Sequence, residues 1–576
     1  MHQAETKTCQ NCKNEFAIEP EDFIFYEKIK VPPPTWCPEC RRQRRLAWRN
    51  DFYFYSRTCD LCKKSIVSIY PPTAKRIVYC SKCWWSDKWS SKDYARDFDF
   101  SRPFFQQFQN LQESVPTLAL INDNDIASVN CEYTQDFAFG KNCYLCFVSW
   151  KVENCLYSVY IGEGKEIIDS INIFESSEYI YDSMNIDASH RCRSIYYSAN
   201  MRESAYCYDC HNSTNCFLSI GLQHKQYHIK NLPYSKEQYE KILAEYKLDT
   251  HSGSERAQKE FTEIIKSYPR RFAQVIQSIN STGDDLDQCK NVQYSFNVGN
   301  GEDCKFVQHC DSPKDSYDVF VGGEYSECYE SVTPDQSYRG LFTLFSWKNT
   351  DIAYSDGCHS SKYLLGCVGI KSGEYQIFNK QYSKESFNDL KTKIVEHMKK
   401  TVEWGEFFPA KMSPFGYNIS VADSHFPLKK EEALKQDFLW QDHIQLTTGK
   451  ETIREIPDSI RNVPETITKE TLACESCRRN YRILPQEFSF YKSMNIPIPR
   501  KCFHCRNSDR FKLRNPQKLW HRKCHCIGKQ SENRVYENQT SHFHGDTPCP
   551  NVFQTSYAPD RPEIVYCEQC YQSEVV

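Results

Sequence analysis

Apolar and polar positions alternate in short bursts from about Cys131 to Asn231, and the bursts recur at a nearly fixed step. Cys143, Cys155, Ile167 and Tyr179 fall 12 residues apart, and Cys192 follows after 13. Glu178-Tyr-Ile-Tyr-Asp-Ser183 and Ser194-Ile-Tyr-Tyr-Ser198 show the period-two pattern of strands between polar turns. One such step per 12 or 13 residues predicts a β-solenoid-like unit in which like residues stack into ladders. Cysteines in this stretch, including Cys207, Cys210 and Cys216, read as small apolar ladder residues rather than metal ligands. The unit ends in Gly221-Leu222, Tyr227-His-Ile-Lys-Asn231 and Tyr234-Ser-Lys-Glu-Gln-Tyr239. That phrase returns as Gly369-Ile370, Tyr375-Gln-Ile-Phe-Asn379 and Tyr382-Ser-Lys-Glu-Ser-Phe387. A Lys/Glu-rich helical stretch follows each copy, at 235–278 and 384–402. The middle of the chain is therefore expected to be a duplicated ladder with helical caps shielding its open sheet ends.

A different pattern occupies both ends. Cys9-Gln-Asn-Cys12 and Cys37-Pro-Glu-Cys40 are separated by 24 residues, and so are Cys474-Glu-Ser-Cys477 and Cys502-Phe-His-Cys505, 465 positions later. Phe23, Phe25 and Tyr26 recur as Phe488, Phe490 and Tyr491, and are expected to form a short strand beside the metal. Two Cys-x-x-Cys turns supply the four thiolates of a tetrahedral Zn²⁺. Cys59-Asp-Leu-Cys62 and Cys80-Ser-Lys-Cys83 make a further set, echoed near the carboxy terminus by Cys524, Cys526, Cys567 and Cys570. In that echo Ile527 aligns with Cys62, and an insertion carries His542, His544 and Cys549 as substitute donors. Cys524, Cys526, Cys567 and Cys570 are the simplest fourth ligand set.

The first and third modules resemble the probable zinc-ribbon domain family. In that family a Cys-x-x-Cys, an aromatic middle, prolines and a Cys-x-x-Cys-Arg ending follow in order. The matching stretches are Pro-Pro-Pro-Thr-Trp-Cys37-Pro-Glu-Cys40-Arg41 and Pro-Ile-Pro-Arg-Lys-Cys502-Phe-His-Cys505-Arg506. The resemblance implies structural zinc and a small β-rich fold, and it carries no activity. Over essentially its full length the chain also resembles bacterial multi-zinc-ribbon proteins of the same layout.

The expected class is mainly β with α: four zinc ribbons in two terminal pairs flanking a duplicated β-solenoid-like region with helical caps. The expected segments are ribbons at 1–50 and 51–115 (the latter with an aromatic linker), ladder 116–232, helical cap 233–285 and ladder 286–383. A cap and irregular arm at 384–465 and ribbons at 466–515 and 516–576 complete the series. At 576 residues several domains are required. With 72 basic against 75 acidic residues, no global field selects a polyanion, so any nucleic-acid preference must be local. The 31 cysteines, the polar start from Met1 to Cys12 and the lack of an 18-residue apolar run point to a cytoplasmic protein that avoids membranes.

Phosphate loops, Gly-x-Ser-x-Gly and His-Glu-x-x-His are all missing from the chain, so an enzyme of solenoid type is the weaker reading and no small-molecule substrate is evident. Basic clustering is stronger: Arg41, Arg42, Arg44, Arg45 and Arg49 surround Trp48, and 13 Lys or Arg face two acids between Arg478 and Lys523. Arg506, Arg510 and Arg514 repeat the first cluster. Arginine with aromatics suits RNA or DNA. Two readings follow: zinc ribbons that grip nucleic acid, or a protein-binding scaffold in which about four zinc ions are purely structural.

Overall fold

The computed structural model describes residues 2–123 and 127–575. It is a mixed α/β structure that divides into two compact units, Met1–Leu120 with Gln274–His443, and Ile121–Ala273 with Ile444–Val576. Each unit holds one terminal pair of cysteine modules and one large curled parallel sheet. The amino-terminal pair is grouped with the second sheet, and the carboxy-terminal pair with the first.

Among the described residues the sheet of the Ile121–Ala273 unit has 15 strands and its counterpart 13. The 12-residue period of the sequence is their register. Phe147 pairs with Val159, Val159 with Ile171, and Ile171 with Met184 after a 13-residue step. Cys131 pairs with Cys143. Inward-facing Cys131, Cys143, Cys155, Ile167, Ile180 and Cys192 stack into one buried row; Ile180 takes the place expected for Tyr179, because the 13-residue step falls between Ile167 and Ile180 and leaves 12 to Cys192.

Within the short strands as well as between them the backbone is left-handed at nearly every third position, as at Asn142, Leu145, Val148, Lys151 and Asn154. Such φ values are costly away from glycine. The ladder offsets this, because the left-handed residue donates its N–H to the carbonyl 13 positions earlier: Leu145 to Glu132, Asn154 to Lys141, Tyr157 to Tyr144. Asn side chains add a second ladder, with Asn130 donating to Asn142 and Asn142 to Asn154, each at 3.0 Å. Twenty glycines in the whole chain therefore suffice.

The two Lys/Glu-rich stretches hold helices over shorter spans than expected. Helices Lys236–Tyr246 and His251–Ser267 follow the first sheet and Lys384–Lys400 the second. Tyr239 meets Tyr227 edge-on at 5.7 Å, and Phe387 meets Tyr375 at 5.7 Å, so the duplication extends to the packing. The expected cap to 285 overruns, since Val275–Ile276 is already the first strand of the second sheet.

The aromatic trio is a correction. Phe23, Phe25 and Tyr26 lie on a helix, Pro20–Ile29, and their copies lie on Pro485–Ser493. Proline at the first helical position suits its fixed φ, and Asp22 and Glu487 accept the backbone N–H of Glu19 and Leu484 at 3.0 Å. Helix places Phe25 against Tyr317 of the sheet at 3.9 Å between ring centres.

Candidate metal centres

Each module starts with a tight turn. The residue after the first Cys-x-x-Cys is left-handed in three of them: Lys13 at φ 66°, Lys63 at 63° and Arg478 at 63°. Its N–H returns to the carbonyl of the first cysteine, at 3.0 Å, 2.9 Å and 2.9 Å, which folds both sulfurs to one side. The second pair opens a helix. Cys37 precedes Pro38–Leu46, Cys80 precedes Ser81–Trp84 and Cys502 precedes Phe503–Leu513. A helix amino terminus favours nearby thiolates.

Four groups of four thiols result, each with its donor atoms within 4.8 Å of one another, and each can hold a metal ion. Three are the expected sets: Cys9, Cys12, Cys37, Cys40; Cys59, Cys62, Cys80, Cys83; and Cys474, Cys477, Cys502, Cys505. A tetrahedral ion with bonds of ~2.3 Å to sulfur sets neighbouring thiolates about 3.8 Å apart. Cys12 and Cys37 are 3.7 Å apart, and Cys477 and Cys502 3.6 Å. Amides point at the sulfurs: Cys37 N–H to Cys9 at 3.2 Å, Cys80 N–H to Cys59 at 3.4 Å. Burial pushes the Cys59 thiol up, but the amides of Cys62, Cys80 and Leu61 outweigh it and bring it to about 7. Cys474 reaches about 7 in the same way, through the amides of Cys502, Cys477 and Ser476. Cys37 falls to about 5, first through the Cys40 thiol. The remaining thiols move the other way: the Cys37 thiol pushes Cys40 up, and burial pushes Cys80, Cys83, Cys502 and Cys505 up, so full ionisation of each set calls for a cation among the sulfurs.

The fourth set corrects the sequence reading. Cys524 groups with Cys549, Cys567 and Cys570, while Cys526 turns to His542 and His544. The N–H of Cys567 meets Cys524 Sγ at 3.2 Å, as that of Cys80 meets Cys59, so Cys524 keeps its role. The inserted loop returns Cys549 to the place Cys62 has in the sibling module.

Cysteines inside the sheets behave differently. Cys143 Sγ donates to Lys141 O at 3.3 Å and Cys146 Sγ to Cys155 O at 3.1 Å. Ser158, one step on from Cys146, donates to Leu156 O at 2.9 Å in the same way. The thiol is a small interior donor that a hydroxyl can replace. Cys146→Ser is therefore expected to leave metal content unchanged and to shift Tm by only a few degrees, whereas Cys37→Ser should lose one metal ion per chain by elemental analysis.

The arginines expected to contact nucleic acid point inward. Arg41 is 1 % exposed and Arg45 0 %; Arg42, Arg44, Trp48, Arg49, Arg506 and Arg510 are also buried. Arg41 donates through Nε and Nη2 to Asp318 Oδ2 at 3.0 and 2.7 Å, and Arg45 Nη2 lies 2.9 Å from Asp318 Oδ1. Arg45 and Arg44 donate to the two oxygens of Glu330 at 2.9 and 3.0 Å, and Arg44 also reaches Glu406 at 3.2 Å. Three guanidinium groups meet three carboxylates. Arg42 contacts His425 Nδ1 at 2.8 Å, Arg49 pairs with Asp51, and Trp48 packs on Phe408. In the other unit Arg506 Nε and Arg510 Nη2 are each 2.9 Å from the oxygens of Asp169, and Arg510 reaches Asp182 at 3.3 Å. Arg514 is half-buried with its guanidinium over the Phe511 ring.

These contacts correct the reading of Arg41, Arg42, Arg44, Arg45, Trp48, Arg49, Arg506 and Arg510 as a nucleic-acid surface: phosphate cannot reach charges already neutralised in a dry contact. Sequence reasoning missed the acidic partners. Asp318, Glu330, Asp169 and Asp182 all have left-handed backbone, the first two inside strands, with the two members of each pair one ladder step apart. That repeat was the available signal.

No family model and no curated protein matches the chain. Among solved structures, one match is a crystal structure from Desulfovibrio desulfuricans G20 whose acetyltransferase assignment is itself provisional. It shares 10 % identity, covers 41 % of this chain and 64 % of its own, less than two thirds, and has a TM-score of 0.09. At that score the likeness bears on neither fold nor function. No helix among the described residues is long and apolar enough to cross a membrane.

Proposed function

We propose that this is a non-catalytic zinc protein: zinc-ribbon modules fasten a duplicated β-solenoid scaffold that presents its outer surface to a protein partner. One observation carries the reading. The most basic parts of the modules are turned onto the sheet of their own unit, which is the geometry of an internal fastening rather than of a grip on an external polyanion. Two of the four sites start the helices whose arginines make that contact, at Cys37–Arg45 and Cys502–Arg510. All-thiolate tetrahedral donors favour zinc or iron, and closed four-ligand sites leave no position for substrate. Free thiols throughout suit a reducing, cytoplasmic setting. Exposed Val129 and Phe139 near the start of one sheet, and Ile276 and Ile279 near the start of the other, offer a partner apolar footholds.

Elemental analysis of the purified full chain tests the foundation. At least four zinc ions per chain in a colourless protein are expected; visible absorption would indicate iron, and fewer than three ions would sink the reading. A second measurement addresses the partner class. Generic RNA or DNA at low salt is expected to show no salt-dependent binding, and such binding would reinstate the nucleic-acid alternative.

A further inference from the structure

We propose that the carboxy-terminal module is a dinuclear site, in which two tetrahedral ions share the thiolate of Cys570. The proposal rests on the zinc reading above and adds a fifth ion to it. Two four-donor groups meet here: Cys524, Cys549, Cys567 and Cys570, and Cys526, His542, His544 and Cys570. Cys570 alone is common to both. The other three modules offer one set of four donors each, so the inserted loop supplies what a second ion requires, namely two imidazoles and a replacement thiol.

Distances in both halves fit bound ions. Cys549 Sγ is 3.8 Å from Cys567 Sγ and 3.7 Å from Cys570 Sγ, close to the tetrahedral sulfur–sulfur edge of about 3.8 Å. For one sulfur at ~2.3 Å and one nitrogen at ~2.05 Å the corresponding edge is about 3.5 Å. Cys526 Sγ lies 3.4 Å from His542 Nδ1, and Cys570 Sγ lies 3.3 Å from His544 Nε2.

The protonation of both rings is set from behind. His542 Nε2 is 2.8 Å from Glu574 Oε1 and His544 Nδ1 is 2.6 Å from the carbonyl of Thr547. A carboxylate and a carbonyl only accept, so those nitrogens carry the protons. In the neutral imidazoles, His542 Nδ1 and His544 Nε2 then present bare lone pairs towards the sulfurs. A backing acceptor that orients the ring and raises its basicity is the usual support of a metal-bound histidine. The sulfurs are backed as well. Asn538 Nδ2 donates to Cys526 Sγ at 3.2 Å and Asn551 Nδ2 to Cys567 Sγ at 3.3 Å, and the Asn538 amide is held by Tyr566 Oη at 2.7 Å.

Charge favours sharing. Four thiolates around one divalent ion leave −2, whereas five thiolates around two divalent ions leave −1, in a pocket where Cys526 and Cys570 are fully buried. Both ions are four-coordinate and closed, so the second ion anchors the inserted loop and does not activate water.

Zinc analysis of the full-length protein should give five ions per chain, and His542→Ala/His544→Ala should give four. Four ions in the wild type, unchanged in that double variant, would overturn the dinuclear site while leaving the zinc reading intact. Absence of zinc altogether would instead sink the underlying reading. Should the variant not fold, the wild type substituted with ¹¹³Cd decides the question by NMR. Five resonances are expected, two of them split by coupling through Cys570, and four resonances or five unsplit ones would remove the bridge.

Discussion

Replacing Asp318 with alanine is expected to destabilise the Met1–Leu120 and Gln274–His443 unit by about 3–5 kcal/mol, because a buried charge array loses its centre. Asp318 is fully buried and takes both Arg41 and Arg45, so the substitution leaves two guanidinium groups in a dry interface with one carboxylate fewer. The first transition in a urea titration should move to lower denaturant, while zinc content stays at the wild-type value because no thiolate is touched. The two units need not unfold together, so each transition is read separately. Asp169→Ala should act in the same way on the Ile121–Ala273 and Ile444–Val576 unit, through Arg506 and Arg510. Lys290→Ala removes an exposed pair with Glu302 and should change nothing measurable. Replacing Asp318, Glu330, Arg41 and Arg45 together by apolar residues of matching volume, which leaves Arg44 paired with Glu406, should recover most of the loss, since the penalty comes from unpaired burial. An Asp318→Ala protein as stable as wild type, or one that gains RNA affinity without unfolding, would contradict the fastening role.

What was legible in the chain follows the range of the interactions. Cys-x-x-Cys pairs are local, and a repeated 24-residue spacing leaves little freedom in how Cys9, Cys12, Cys37 and Cys40 can meet. The 12-residue ladder was legible because each step repeats the same contact, so Phe147, Val159 and Ile171 announce their register in one dimension. Cys526 was misassigned for a geometric reason. Whether it or Cys549 completes the site depends on the path of the loop between Gly528 and Cys549, which spacing does not encode. Phe23, Phe25 and Tyr26 alternate too briefly to distinguish strand from helix, and the signal that decides is Pro20 with Asp22 behind it. Most was lost at the arginines. Arg41 and Asp318 are 277 residues apart, so the run looked free until the acidic rungs of the sheet were brought under it.

Stripping the metal should have the largest effect, and it should be confined to the modules. The first module has a hairpin of two four-residue strands, Glu5–Thr8 and Glu15–Ile18, and no sizeable core of its own. A structural zinc contributes an apparent ~10–16 kcal/mol in small zinc modules at neutral pH, far beyond what such a hairpin supplies. On chelation the thiolates repel and protonate, the turn at Lys13 opens, and the Pro38–Leu46 helix loses the anchor at its amino terminus. Arg41, Arg44 and Arg45 then no longer have a fixed backbone to hold them on Asp318 and Glu330. Among the described residues the curled sheets contribute no donor to the metal-holding groups, and their registers rest on backbone ladders and rows such as Ile161, Ile173 and Ile186. Limited proteolysis of the chelated protein should therefore cut within residues 1–50 and 466–515 at least tenfold faster than in the zinc-loaded form. Circular dichroism should keep the β signal, and protection should return when zinc is added back under reducing conditions. Equal protection of those segments with and without zinc would show that the modules fold without metal.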